Sequence, residues 1–245
     1  MKARKIIFII GSGRTGTNWL ANILQSHPAI RATIEDPMIF NRVTKMALNP
    51  AVRAKLFPEL IRLYTYYYQE SSPCHYVDKS HPNLWLAEAL ALVFPDSLFI
   101  SLKRNPYATV SSMLKHEGVL KWQREWKRFP IPNEFLGIDH KIAADYSKMS
   151  MTEKCTLRWV AHMKKIDYLA KSNIKNRMLI ISYERLVENT IEVLIKIKKF
   201  LDLSESFNVP VVNKETIYKW QQQLSESQCE EIKGIVGEYQ PIFTE

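Results

Sequence analysis

The chain has 245 residues, 46% of them hydrophobic and 24% charged, an ordinary balance for a folded enzyme domain. Its 34 basic and 25 acidic residues leave a formal charge of +9 and a pI near 9.3, which suits an anionic ligand, an anionic surface or nucleic acid. Cys74, Cys155 and Cys229 are too few and too scattered for a disulfide framework or a zinc cluster, and no run approaches the roughly 18 apolar residues of a membrane span, so a reducing, cytoplasmic setting is expected.

Ile6-Ile7-Phe8-Ile9-Ile10 is continuously apolar and ends at Gly11, the signature of a strand buried on both faces of a parallel sheet. From Thr17 to Gln25, Trp19, Leu20, Ile23 and Leu24 fall at helical spacing, so strand, glycine-rich turn and helix follow in order. A helix is expected over 84–94, stopped by Pro95-Asp96. The next strand is expected over 97–102, then a helix from Thr109 to Lys115 after the Asn105-Pro106 break. Residues 113–150 carry Trp122, Trp126, Phe129 and Phe135 without a sustained period, and read as an irregular lid or substrate-facing excursion. Another strand is expected over 178–182. The alternation predicts an α/β fold, a three-layer arrangement with a central parallel sheet flanked by helices, in a single domain spanning 1–245.

The turn after the first strand satisfies two patterns at once. Gly11, Gly13 and Gly16 match the dinucleotide G-x-G-x-x-G, and Gly11 with Gly16 matches the opening of a nucleoside-triphosphate loop. A triphosphate loop continues with Lys and then Ser or Thr for magnesium; here Thr17-Asn18 follows. The dinucleotide reading gains an acid at Glu35, near where a ribose contact belongs. Arg14, inside the turn, suits a highly charged single-ended phosphate better than a pyrophosphate already neutralised by backbone amides. A second cassette lies downstream: a strand running into Lys103-Arg104-Asn105-Pro106 and a helix bearing Ser111 and Ser112. Two such cassettes at the C-terminal ends of neighbouring strands describe a nucleotide with two separate phosphate groups.

These residues resemble the sulfotransferases that use 3′-phosphoadenosine 5′-phosphosulfate (PAPS). Arg14-Thr15-Gly16-Thr17-Asn18, followed by Trp19, is similar to that family's 5′-phosphosulfate loop, and Arg104 with Ser112 to its 3′-phosphate motif. Residues 77–112 resemble its lysine segment, helix, strand and 3′-phosphate site in unbroken order, and residues 181–189 its Tyr-Glu-x-Leu segment, which puts Tyr183 near the adenine. Asn213 and Lys219-Trp220 are similar to the tail of the tyrosylprotein branch that folds over the donor, and Ser204 stands where that branch places a serine near the phosphosulfate. The resemblance implies sulfonate transfer from PAPS to a hydroxyl on a carbohydrate, a lipid-linked sugar, a phenol or a tyrosine, without a metal.

In-line displacement builds charge on the leaving phosphate oxygen, for which Arg14 and Lys79 are the candidate partners. For the base, Glu35 after His27-Pro28 resembles the tyrosylprotein branch, and His81 in Lys79-Ser80-His81 resembles the Lys-x-His of the cytosolic branch; both stay open. The residues 36–70, with Tyr64, Tyr66, Tyr67 and Tyr68, are expected to wall the acceptor pocket together with 113–150. Two other classes remain: a P-loop kinase-like phosphotransferase with a displaced lysine, and a basic nucleic-acid-binding module. Against the last, the basic residues are dispersed and no recognition motif is visible, so nucleic acid is not an expected partner.

Overall fold

β1 (Ile6–Gly11) is the centre of a five-stranded parallel sheet in the computed structural model, which describes residues 4–237 and 239. The other strands are β2 (Ile30–Ile34), β3 (His75–Lys79), β4 (Leu98–Lys103) and β5 (Met178–Ser182), in the spatial order β2-β3-β1-β4-β5. The helices are α1 (Thr17–Gln25), α2 (Pro37–Leu48), α3 (Arg53–Glu70), α4 (Ala87–Val93), α5 (Pro106–Met113), α6 (Glu117–Arg124), α7 (His140–Ala143), α8 (Met151–Leu169), α9 (Tyr183–Glu188), α10 (Thr190–Leu201) and α11 (Glu226–Val236).

The alternation of side chains along β1 divides the core. Ile6, Phe8 and Ile10 pack with α2, α3, α4 and α8 on one face, while Ile7 and Ile9 pack with α1, α9 and α10 on the other. The sheet is therefore covered on both sides, the three-layer arrangement expected. Each fully buried Ile or Phe of β1 contributes about 2 kcal/mol of transfer free energy.

From β1 the chain crosses to β2 on one side, and from β4 it crosses to β5 on the other. That reversal opens a crevice beyond the C-terminal ends of β1 and β4, where the 11–16 turn and the 103–105 segment meet.

Several boundaries differ from the expectations. β2 and β3 were not expected. β2 is an edge strand whose Arg31 and Thr33 break any apolar run, and β3 ends in Asp78-Lys79. The helix expected over 84–94 is a 3₁₀ turn at His81–Trp85 followed by α4. α5 starts at Pro106, its first turn capped by the Asn105 side chain accepting from the Ala108 amide. Residues 113–150 are a packed cap: they contain α6 and α7, and Trp122, Trp126, Phe129 and Phe135 all join the core beneath α8. Tyr64 is fully buried in that core, donating its hydroxyl to Asp78. Among the described residues no helix is long and apolar enough to cross a membrane.

Candidate active site

The turn between β1 and α1 is set by two left-handed residues, Arg14 at φ 75° and Gly16 at φ 90°. Arg14 holds a conformation that costs a non-glycine residue about 1–2 kcal/mol, a strain typical of functional loops. Thr15 is buried and donates its hydroxyl to the Ser12 carbonyl at 2.7 Å, which closes the turn. Gly16 stands at the N-cap of α1 and supplies no side-chain acceptor, so the first-turn amides are free to meet an anion. A Cβ at Gly16 would sit inside 3.0 Å of the Tyr183 ring, and one at Gly13 would meet His81 Nε2 at 3.0 Å.

The second cassette joins the first by direct bonds. Arg14 Nε donates to Ser112 Oγ at 3.1 Å, and an Arg104 terminal nitrogen donates to the Arg14 carbonyl at 3.1 Å. The Arg104 guanidinium lies 4.2 Å over the Tyr183 ring, and its buried Nε has no hydrogen-bond partner among the described residues. Burial pulls the Arg104 pKa down, against Tyr183 and Glu184, which favour its charge. The strand end is fixed from behind: the Trp159 indole donates to the Arg104 carbonyl at 3.1 Å, and the Asn105 amide donates to Glu184 at 2.9 Å.

Glu35, Lys79 and His81 converge at the ends of β2 and β3. Ile34 pairs with Lys79, and the Glu35 amide continues that ladder to the Lys79 carbonyl at 2.9 Å before the chain turns at φ 50°. The Lys79 ammonium, 2% exposed, bonds Glu35 Oε1, and His81 Nδ1 lies 3.6 Å from the same oxygen. Burial alone would raise the Glu35 pKa, but the neighbouring His81 imidazole and the charge and bond of Lys79 outweigh it and hold it at about 2. Burial pushes His81 down to about 3, so its imidazole is neutral. Burial also lowers Lys79, which Glu35 and Asp78 oppose.

These groups line a cleft of about 430 Å³ whose walls include Gly13, Arg14, Gly16, Thr17, Asn18 and Trp19 on the loop side, and Phe40, His116, Val119 and Trp122 opposite. Around Arg14, Arg104 and Ser112 a second cavity of about 320 Å³ extends to Lys115, Lys219 and Trp220. Arg14, Lys79, Arg104, Lys115 and Lys219 face these spaces against the single carboxylate of Glu35. The arrangement gathers five basic side chains around two adjoining spaces and sets one ionised carboxylate among them.

The sequence model of the sulfotransferase family matches residues 7–207. The chain belongs to the sulfotransferase family. Solved structures share its fold: the sulfotransferase domain of the curacin biosynthetic pathway has TM-score 0.62 at 15% identity, covering 97% of this chain and 98% of that one. The sulfotransferase domain of the Synechococcus PCC 7002 olefin synthase has TM-score 0.61 at 15% identity, covering 96% and 97%. A mouse sulfotransferase complexed with PAP has TM-score 0.53 at 16% identity, covering 96% and 85%. No curated protein sequence matches.

Within this sulfotransferase the expected site residues separate into two groups. Arg14, Gly16, Thr17, Asn18, Trp19, Glu35, Lys79, His81, Arg104 and Ser112 line one cleft, with Thr15 buried beneath it. Tyr183 is a buried platform between Gly16 and Arg104, with Trp19 against its edge at 6.0 Å. Lys219 reaches the second cavity, held by Trp220 stacking on Tyr107 at 4.8 Å. Two do not converge. Asn213 is exposed and caps its own turn through the Glu215 amide at 3.0 Å. Ser204 is exposed beside Glu205, whose carbonyl meets His27 at 3.2 Å after α1, at the opposite end of the sheet from the loop. Ser111 does not line either space itself but bonds Gln223, which lines the second cavity. Of residues 36–70, Phe40 lines the cleft, not the tyrosines. Trp122, named within the 113–150 stretch, and Phe40, within 36–70, line the cleft. His116, Trp159 and Glu184, which carry no expected role of their own, reach the site through packing.

Proposed function

We propose that this sulfotransferase moves a sulfonate group from PAPS to an acceptor hydroxyl. The observation that carries the reading is the bonded junction Arg14–Ser112 and Arg104–Arg14, which joins two anion-binding cassettes at one crevice. The donor residues present fit such a molecule: uncapped α1 amides and Arg14 for the 5′ end, the unpartnered Arg104 Nε with Ser112 and Lys219 for the 3′-phosphate, and Tyr183 under the nucleoside. A structure of the same fold that contains PAP, the bisphosphate product, is in keeping with this.

The acceptor oxygen attacks sulfur as the bond from sulfur to the 5′-phosphate oxygen breaks. The leaving oxygen gains negative charge, which Lys79, Arg14 and the α1 amides stabilise. Glu35, a third exposed and open to the cleft, takes the acceptor proton; His81, 5% exposed under Gly13, stands behind it and orients its carboxylate. Glu35 is a weak base while Lys79 bonds it, and becomes a stronger one as the ammonium turns to the leaving oxygen. The acceptor enters between Phe40, Val119 and Trp122.

Turnover of labelled PAPS with a panel of carbohydrate, phenol and tyrosyl acceptors, in the presence of a metal chelator, tests the reading. Label transfer that the chelator leaves intact is expected, and Glu35→Gln is expected to lower kcat by at least about 100-fold. Magnesium-dependent transfer from ATP, with none from PAPS, would overturn it.

A further inference from the structure

Arg158, on α8 behind the cleft, is fully buried, and no acidic side chain among the described residues forms an ion pair with it. Its guanidinium carbon lies 4.7 Å from the Phe135 ring centroid and 5.9 Å from that of Trp122. One terminal nitrogen donates to the Met113 sulfur at 3.8 Å, while Nε and the other terminal nitrogen have no acceptor. The groups that favour its charge are Cys155 and Tyr146, and burial keeps both protonated: the thiol is pushed up to about 12 and the phenol is raised above its usual range. His162, one turn along α8, is also buried and neutral. A guanidinium taken out of water in this way is unfavourable until an anion meets it.

The cleft is one side chain away. Trp122 lines the cleft with one part of its surface and holds its ring over Arg158 with another. Met113 follows the cleft residue Ser112, and Val119, also in the cleft wall, packs in one cluster with Met113 and Cys155. Trp122 stands on the eight-residue helix α6, which begins beside Gly118 at the cleft rim.

We propose that Arg158 seats an oxyanion carried by the acceptor, a carboxylate or a phosphate monoester, reached when the Trp122 indole turns aside. The inference rests on the sulfonate-transfer reading, because the acceptor is what enters this cleft. It assigns the acceptor a chemistry: a hydroxyl beside Glu35 and a negative group on the far side of an apolar or aromatic spacer bounded by Phe40, Val119 and Trp122.

The test compares 4-(hydroxymethyl)benzoate, 4-(hydroxymethyl)phenyl phosphate and the neutral 4-(hydroxymethyl)benzamide as ligands of the PAP-bound protein, by calorimetry. Wild type and Arg158→Lys are expected to bind the two anions about thirtyfold or more tighter than the amide, the low end for one side of a buried charge pair. Arg158→Met is expected to lose that preference while still binding PAP. Equal responses to anion and amide in wild type, absence of any response included, or a preference that persists in Arg158→Met, overturn the proposal. Should Arg158→Met not fold, thermal melting of the PAP-bound wild type decides: the benzoate is expected to raise Tm more than the amide does, and equal shifts overturn the proposal. Acetate or inorganic phosphate giving the same shift as the benzoate would assign the seat to free anions and also overturn it. Loss of PAP binding by wild type is a separate outcome that contradicts the sulfonate-transfer reading itself.

Discussion

Replacing Gly16 with alanine loads the loop at its tightest contact. The residue sits at φ 90°, where an L side chain costs about 1–2 kcal/mol. Its new Cβ would fall inside 3.0 Å of Tyr183 Cδ2 and Cε2, so the ring has to retreat by about 1 Å to regain ordinary contact. That ring is 9% exposed and carries the Arg104 guanidinium at 4.2 Å, so it has little room, and overpacking of this kind costs about 1–3 kcal/mol more. Together Gly16→Ala is expected to cost about 2–5 kcal/mol in denaturant unfolding and to weaken PAP binding at least about tenfold, because Arg104 moves with the ring. In a Tyr183→Ala background only the backbone part, about 1–2 kcal/mol, should remain. A Gly16→Ala cost that is the same in both backgrounds, or one under about 1 kcal/mol with PAP binding intact, would refute the ring contact as the reason for this glycine.

In the free enzyme Glu35 sits at about 2 and His81 at about 3, so kcat/KM is expected to show no acid limb from these groups between about pH 5 and 8; a limb centred near 6.5 would contradict their pairing. Asp78 is fully buried, and burial raises it from 3.8 to about 7 despite donors from Thr33, Tyr64 and Ser80. A folded pKa raised in this way leaves its stability contribution greatest below about 3.8 and lost as pH rises to about 7, a few kcal/mol that should vanish in the pH profile of Asp78→Asn unfolding. Trp159→Phe removes the indole bond to the Arg104 carbonyl while keeping an aromatic, though smaller, side chain, and is expected to raise KM for the donor about threefold to tenfold with kcat changed less; unchanged donor affinity would mean that the bond does not position Arg104.

The residues differ in how much of this could be read before folding. β1 and β4 are legible because every residue along them is buried, and β5, although an edge strand buried only at alternate residues, because Met178–Ile181 is continuously apolar. β3 is not, since its last residues, Asp78 and Lys79, are ionisable side chains buried by packing, and β2 lies at the sheet edge, where polar residues are tolerated. Arg14 and Arg104 are legible because each closely follows a strand, whose end fixes where its loop points, and Ser112 because it lies on the helix that the Asn105-Pro106 break starts after β4. Ser204 misleads because its distance from Asn213 says nothing of direction: Leu203 and Phe207 on either side are buried against the core, which holds the segment near His27. Residues 113–150 have no period because their aromatic side chains are anchored one at a time, Trp122 on Phe135 and Trp126 on Tyr146, by contacts distant in sequence. Arg158 is hidden for a related reason: within α8 it reads as one more solvated base, and only packing shows it buried.

The central claim, one crevice holding both phosphate ends of the donor, is tested most directly by titrating wild type and Arg104→Ala with PAP and with AMP in the absence of divalent metal. PAP is expected to bind wild type about 100-fold tighter than AMP, as two or more charge-assisted bonds to the 3′-phosphate would give, and Arg104→Ala is expected to erase most of that margin while leaving AMP nearly unchanged. Equal affinity of wild type for PAP and AMP, or an Arg104→Ala loss of the same size for both, would contradict it.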